Sequence, residues 1–281
     1  MFSRRQSLPL LAFGPAAAFA FQGKAVVAPK VPAPVRWRPR SPFNGSPVLF
    51  ESSEPRPNAT WLGKKIEFRK DGDLWTALAG VDLATKPGRH PLKWSEDDSI
   101  LVPVIRRAYA ASRITVAPKF VQPPPEVSKR IAEEQAVKKK VFSSSPMNER
   151  FWQGRFRAPA GVGRTSPFGT RRVYNGKTRS IHQGLDFAAA PGTEILAANA
   201  GRVAIARDMY FEGGFVVLDH GEAIYTLYMH LSAFLVMEGT MVEKGQPIAK
   251  SGASGRVTGP HLHFGVQWQG SYLEPGTLLT L

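Results

Sequence analysis

Six histidines occur in 281 residues, and five of them fall after Phe151, in four short stretches. These are His182-Gln183-Gly184-Leu185-Asp186, Asp219-His220-Gly221, Tyr228-Met229-His230-Leu231 and Pro260-His261-Leu262-His263-Phe264. Residues two apart on a strand share a face, so His261 and His263 would point together, with Leu262 and Phe264 opposite. Such a pair is a metal chelate or an acid/base couple. Without a task, two adjacent buried imidazoles would lose hydration and repel on protonation. His182 and Asp186 add a nitrogen and a carboxylate. Their spacing of four would suit a helix, but Gly184 between them and Pro191-Gly192 beyond place them on a bent loop or strand edge.

Cysteine is absent, which excludes disulfides, thiolate metal sites and a cysteine nucleophile. Any metal must then be held by histidine and carboxylate. Catalytic zinc uses about three protein ligands and keeps a position for water. Two neutral imidazoles and one carboxylate leave such a site at net +1, which acidifies that water. His220, at the end of an apolar run, reads as a structural imidazole, and His90 lies far away in the sequence.

These residues need a rigid frame. From Phe151 onward glycine is frequent, apolar runs are short and helical periodicity is nearly absent. Gly201 to Ala206, Phe215 to Asp219, Ala223 to Met229 and Leu262 to Trp268 read as strands of an all-β domain, 151–281. Before it, Lys65 to Arg69, Leu74 to Ala79, His90 to Trp94, Ile100 to Ile105 and Arg113 to Val116 are strand-like, with turn chemistry at Asp71-Gly72-Asp73 and Lys86-Pro87-Gly88. They predict a small β-sandwich over 48–116. Pro123-Pro124-Pro125 interrupts the chain, and Glu126 to Lys140 is helix-forming, with Glu134 four residues before Lys138 as a favourable pair and Lys138 to Lys140 as an exposed basic end. This helix is the core of a connector, 117–150. Residues 21–47, rich in Pro and Arg, read as a linker.

Residues 1–20 have the form of an export signal: Arg4 and Arg5, an apolar stretch from Leu8 to Phe19, and Ala18-Phe19-Ala20. The stretch is short for a membrane span and is interrupted by Pro9 and Pro15. Arg4-Arg5 also fits a twin-arginine signal, though Ser7 stands where an aromatic is usual. The net charge of +15 suits an anionic partner. A cell wall and a nucleic acid both qualify by charge, and export argues against the nucleic acid.

From about Phe151 to Gln269 the chain resembles the lysostaphin/LytM-type zinc metallopeptidases. The pattern is His-x-x-x-Asp, Tyr-x-His-Leu and Thr258 to Phe264, flanked by Ser166-Pro167-Phe168-Gly169, Ala190-Pro191-Gly192-Thr193, Ala200-Gly201-Arg202-Val203 and Ser251-Gly252-Ala253-Ser254-Gly255. The resemblance implies one Zn2+ per chain held by His182, Asp186 and His263, with His230 and His261 as the catalytic histidines. It implies a peptidoglycan endopeptidase, working in the periplasm or cell envelope, or secreted. The bond cut is left open between a D-Ala–diaminopimelate cross-link and a glycine–glycine bond. The rival readings are a non-catalytic wall-binding or amidase-activating module of LytM type, and a secreted endopeptidase acting on Gly-rich proteins.

Overall fold

The computed structural model describes residues 34–281, so the export-signal reading and the first part of the linker reading, 21–33, lie outside the described residues. Eight strands follow one another in the first third of the described chain: β1 (Arg36–Arg38), β2 (Pro47–Ser52), β3 (Thr60–Trp61), β4 (Lys64–Lys65), β5 (Arg69–Asp71), β6 (Leu74–Gly80), β7 (Gly88–Lys93) and β8 (Ser99–Val104). They form two four-stranded sheets, ordered β1-β2-β6-β5 and β4-β3-β7-β8. Alternation fixes which face is inward: β8 buries Val102 and Val104 and turns Leu101 and Pro103 outward. Trp61 joins the sheets, with its ring edge-on to Phe50 at 5.3 Å and its Nε1–H donating to the Gly80 carbonyl at 3.0 Å.

The structure departs from the sequence reading in three places here. The expected linker contains β1, because Trp37 and its neighbours pair with Leu49 to Glu51 of β2. The apolar-poor run Lys65 to Arg69 is strand only at its two ends, with Ile66 and Phe68 buried between. The expected last strand of the sandwich lies at β9 (Ala111–Ile114) and leaves the sandwich altogether.

After β9 comes helix α1 (Ser128–Phe142), two residues later at each end than its composition predicts. The remaining strands are β10 (Arg164–Ser166), β11 (Arg171–Tyr174), β12 (Thr178–Ile181), β13 (Gly184–Phe187), β14 (Glu194–Leu196), β15 (Gly201–Met209), β16 (Gly213–Asp219), β17 (Ile224–Phe234), β18 (Met241–Val242), β19 (Pro247–Ser251), β20 (Leu262–Trp268) and β21 (Ser271–Leu273). The main sheet runs β10-β13-β20-β17-β16-β15-β18, with β14, β19 and β21 attached at its sides. A separate three-stranded sheet, β12-β11-β9, pairs β9 in parallel with β11.

Strands β16 and β20 are buried at every residue because both faces of the main sheet are covered. One face, including Val216, Leu218 and Tyr228, shares a continuous core with Leu78 and Trp61 of the sandwich. The other face, with Phe215, Val217, Tyr225 and Leu227, is packed by Val137, Val141 and Phe142 of α1. The helix thus acts as a cover for the sheet, and its charges follow from that. Glu134 bonds Arg130 at 2.7 Å and the Tyr210 backbone N–H at 2.9 Å, while Lys138 is turned inward to Glu212. The expected Glu134–Lys138 pair does not form, and Lys138 is not part of an exposed end. Among the described residues no helix is long and apolar enough to cross a membrane.

Candidate metal centre

Asp186 and His263 are brought together by strand register. In the antiparallel β13–β20 pair Asp186 lies opposite His263, and the next strand, β17, places Met229 opposite His263 on its other side. Asp186 therefore sits in an interior strand and not on a loop or edge as the glycine beside it suggests. Gly184 has a different use: a Cβ there would fall 2.4 Å from His263 Nε2, so the absent side chain is what admits the imidazole.

His182 stands just beyond β12, its backbone pinned by an N–H bond to the Thr170 carbonyl at 2.8 Å. Its Nδ1–H donates to the Pro167 carbonyl at 2.8 Å, which leaves Nε2 as the bare nitrogen. That Nε2 lies 2.9 Å from Asp186 Oδ1 and 2.9 Å from His263 Nδ1, and His263 Nδ1 lies 2.9 Å from the same oxygen. All three side chains are buried. With His182 neutral, its Nε2 and the carboxylate oxygen are two acceptors facing each other with no proton between them. A cation shared by the three atoms removes that conflict. Two imidazole nitrogens and one carboxylate oxygen are also a donor set that zinc takes at about 2.0–2.2 Å, so the residues present fit the ion.

The other oxygen of Asp186 is held as well. Arg172 of β11 donates to Asp186 Oδ2 at 2.9 Å and to Ser166 Oγ at 2.7 Å. Burial pushes the Asp186 carboxyl up, but the close His182 and His263 imidazoles outweigh this and hold it well below the usual carboxylate range. Arg172 carries no local sequence signal; only the pairing of β10 with β13 and the distant placement of β11 bring it to the site.

His230 and His261 complete the cluster. His261 is bridged to Gly252 just before β20 starts, and its Nδ1–H donates to the Gly259 carbonyl at 2.8 Å. Its Nε2 is thereby free and lies 3.9 Å from Asp186 Oδ1. His230 sits where β17 carries one residue more than β16, between the pairs Val216–Tyr228 and Gly214–Leu231. This bulge puts His230 at φ 67°, a left-handed backbone that costs a β-sheet residue about 1–3 kcal/mol. Its Nδ1–H donates to the Ser254 carbonyl at 2.9 Å, again freeing Nε2. The His230 ring lies 4.9 Å from that of His261 and 6.0 Å from that of His263. Burial, followed by the neighbouring His263 and His261, drives the His230 imidazole well below its ordinary value, so it is neutral at pH 7.

His220 is elsewhere. It is fully buried, with Nδ1–H on the Ala200 carbonyl at 2.7 Å and Nε2 on Thr226 Oγ1 at 2.8 Å. His90 bonds the Lys86 carbonyl in the N-terminal sandwich.

The cluster opens into two adjoining cavities of about 470 and 400 Å³, both lined by Arg172, Tyr174, His230 and Arg256. Their shared walls come from β11, the β17 bulge and the loop before β20. Arg256 is a second residue that motif reading passes over, because it falls in the gap between Ser251–Gly255 and Thr258–Phe264.

Residues 180–275 match the model of Peptidase family M23. The chain is 43% identical over 101 residues to the peptidoglycan DD-endopeptidase ShyA of Vibrio cholerae and 40% identical over 103 residues to ShyB of the same organism. Each match covers 36% of this chain and 24% of the relative, so the chain spans about a quarter of the length of these curated relatives. A Pseudomonas aeruginosa crystal structure described as a candidate peptidase M23 superposes with a TM-score of 0.66 at 28% identity, covering 85% of this chain and 95% of that one. That coverage takes in N-terminal strands as well as the main sheet.

Proposed function

We propose that this chain, whose residues 180–275 belong to the lysostaphin/LytM-type peptidase family M23, is an exported zinc endopeptidase that hydrolyses peptide cross-links of bacterial peptidoglycan. One observation carries the reading: His182 Nε2, Asp186 Oδ1 and His263 Nδ1 converge at mutual distances of 2.9 Å beside two further imidazoles whose Nε2 atoms are free. The substrate class comes from the relatives, which are named as peptidoglycan DD-endopeptidases.

His182, Asp186 and His263 would hold the ion. Zinc held there would supply a Lewis acid for the scissile carbonyl and for a water. Arg172 fixes the Asp186 carboxylate so that Oδ1 faces the two imidazoles. His230 and His261 each spend their Nδ1–H on a backbone carbonyl, so each presents Nε2 as a proton acceptor to the cleft. One of them takes the water proton at Nε2 and returns it to the departing amine nitrogen. The other, after taking up a proton from solvent at Nε2, donates to the carbonyl oxygen as negative charge develops on it and gives that proton back to solvent when the carbonyl re-forms. The water enters as hydroxyl on the carbonyl carbon, the C–N bond breaks, and the products are a carboxylate and an amine.

Purified protein incubated with isolated sacculi should release soluble muropeptides, identified by mass spectrometry, and chelation should abolish the release. Zinc-loaded protein that binds sacculi without releasing fragments would replace this reading with that of a non-catalytic wall-binding module.

A further inference from the structure

Three cations line the cleft, and two are neutralised within the chain. Arg172 is paired with Asp186, and Lys138 with Glu212. Asp186 and Glu212 are also the acids of the cleft lining. The third cation, Arg256, has no ion pair and no side-chain hydrogen bond among the described residues. Instead its guanidinium lies 4.8 Å from the Tyr174 ring and 5.1 Å from the Phe211 ring, held between β11 and the turn before β16.

Its position is built. The Arg256 backbone N–H donates to the Phe211 carbonyl at 2.8 Å. Gly255 precedes it at φ 73°, where a Cβ would fall 2.4 Å from the Gly213 nitrogen. Ser254, one residue earlier, accepts from the Gly214 N–H at 2.8 Å, donates to the Leu231 carbonyl at 2.8 Å, and offers its own carbonyl to His230. The same short loop therefore sets the free imidazole nitrogen of His230 and the free guanidinium of Arg256. Contact with two ring faces restrains the guanidinium without using any of its N–H groups, which stay available for a bidentate carboxylate contact.

We infer that Arg256 is a specificity-determining residue that binds a free carboxylate of the peptide substrate next to the scissile amide. The inference rests on the endopeptidase reading and narrows it. A cross-link whose amine-side residue is a diamino diacid carries such a carboxylate beside the bond that is cut. A bond between glycines within a bridge carries none. The unpaired cation selects the first class and gives no advantage to the second.

The test uses the full zinc-loaded chain and two synthetic cross-linked peptides, identical except that the carboxylate beside the scissile amide is free in one and a carboxamide in the other. Wild-type protein should favour the free carboxylate by roughly 10- to 100-fold in kcat/KM, the scale of a charge-assisted hydrogen bond. Arg256→Gln should bring that ratio toward one, chiefly through a higher KM for the carboxylate substrate, and Arg256→Lys should retain part of it. Equal cleavage of both peptides by wild type would overturn the inference while leaving the endopeptidase reading intact. So would an unchanged ratio in a zinc-loaded Arg256→Gln. Cleavage of neither peptide by zinc-loaded wild type would overturn both.

Discussion

Asp186 and His263 face each other across the β13–β20 ladder, and their side chains meet at 2.9 Å. A single register thus sets one edge of the candidate metal triangle, and that edge is only as good as the packing that admits His263. Replacing Gly184 by alanine tests this. The new Cβ would lie 2.4 Å from His263 Nε2 and 2.6 Å from the Phe264 carbonyl oxygen, and the imidazole would have to swing away. Gly184→Ala should bind less than one zinc per chain by elemental analysis and lose about 1–3 kcal/mol of stability through overpacking. Gly161→Ala, with nothing within 4 Å of the added carbon, should change neither.

The Arg172–Asp186 contact makes a separate claim, that the carboxylate is oriented from behind. Arg172→Met removes both its bonds, to Asp186 Oδ2 and to Ser166 Oγ. Zinc affinity measured by chelator competition should weaken by about 10- to 100-fold, the usual cost of losing a partner of a metal ligand. An affinity equal to wild type would show that Arg172 is a bystander.

Holding the ion and moving protons should separate under mutation. His182→Ala, Asp186→Ala and His263→Ala should each lose the metal. His230→Ala and His261→Ala should keep it and lose activity by about 10²- to 10⁴-fold, the range of general acid–base catalysis. Zinc content and turnover measured on the same preparations decide between the two classes. A His230→Ala or His261→Ala protein that cleaved at near-normal rate would be removed from the proton-transfer role.

Much of this site is legible because strands have a period of two. His261 and His263 can be placed on one face from spacing alone, and β20 is read to its residue limits. What spacing cannot show is which distant segments adjoin. Asp186 reads as a loop residue because Gly184 is a local breaker, yet the missing side chain serves close packing inside a sheet. Arg172 and Arg256 enter the cleft through pairings that span long stretches of chain, such as the parallel contact of β9 with β11. The left-handed backbone of His230 follows from a bulge that only the β16–β17 register reveals. Helix composition correctly marks α1 within two residues, but its charge pattern misleads. Glu134 pairs instead with Arg130 one turn back on the same helix and with the Tyr210 N–H, and Lys138 pairs with Glu212; Tyr210 and Glu212 are partners that an isolated helix would not offer.

His220 carries the last prediction, because it is an imidazole buried for structure alone. As a neutral ring with Nδ1–H on the Ala200 carbonyl, it needs a donor at Nε2, which the Thr226 hydroxyl supplies. The Tyr228 hydroxyl, 3.0 Å from Thr226 Oγ1, can in turn donate to Thr226 and accept from the Ala198 N–H at 2.8 Å. One proton arrangement satisfies the whole chain, and a second proton on His220 breaks it. Burial accordingly pushes the His220 imidazole down to about 4, with the bond to Ala200 opposing. The unfolded ring titrates near 6.5, so between these values the unfolded state holds more protons and stability rises with pH. The contribution is complete above about pH 6.5 and is lost as pH falls toward 4, to the extent of about 3 kcal/mol. His220→Asn keeps a donor for Ala200 and has no titration in this window. Urea unfolding at pH 7 and at pH 4.5 should therefore show a smaller acid loss for the variant than for wild type, although the variant starts less stable. Equal losses in the two proteins would mean that His220 does not couple folding to protons.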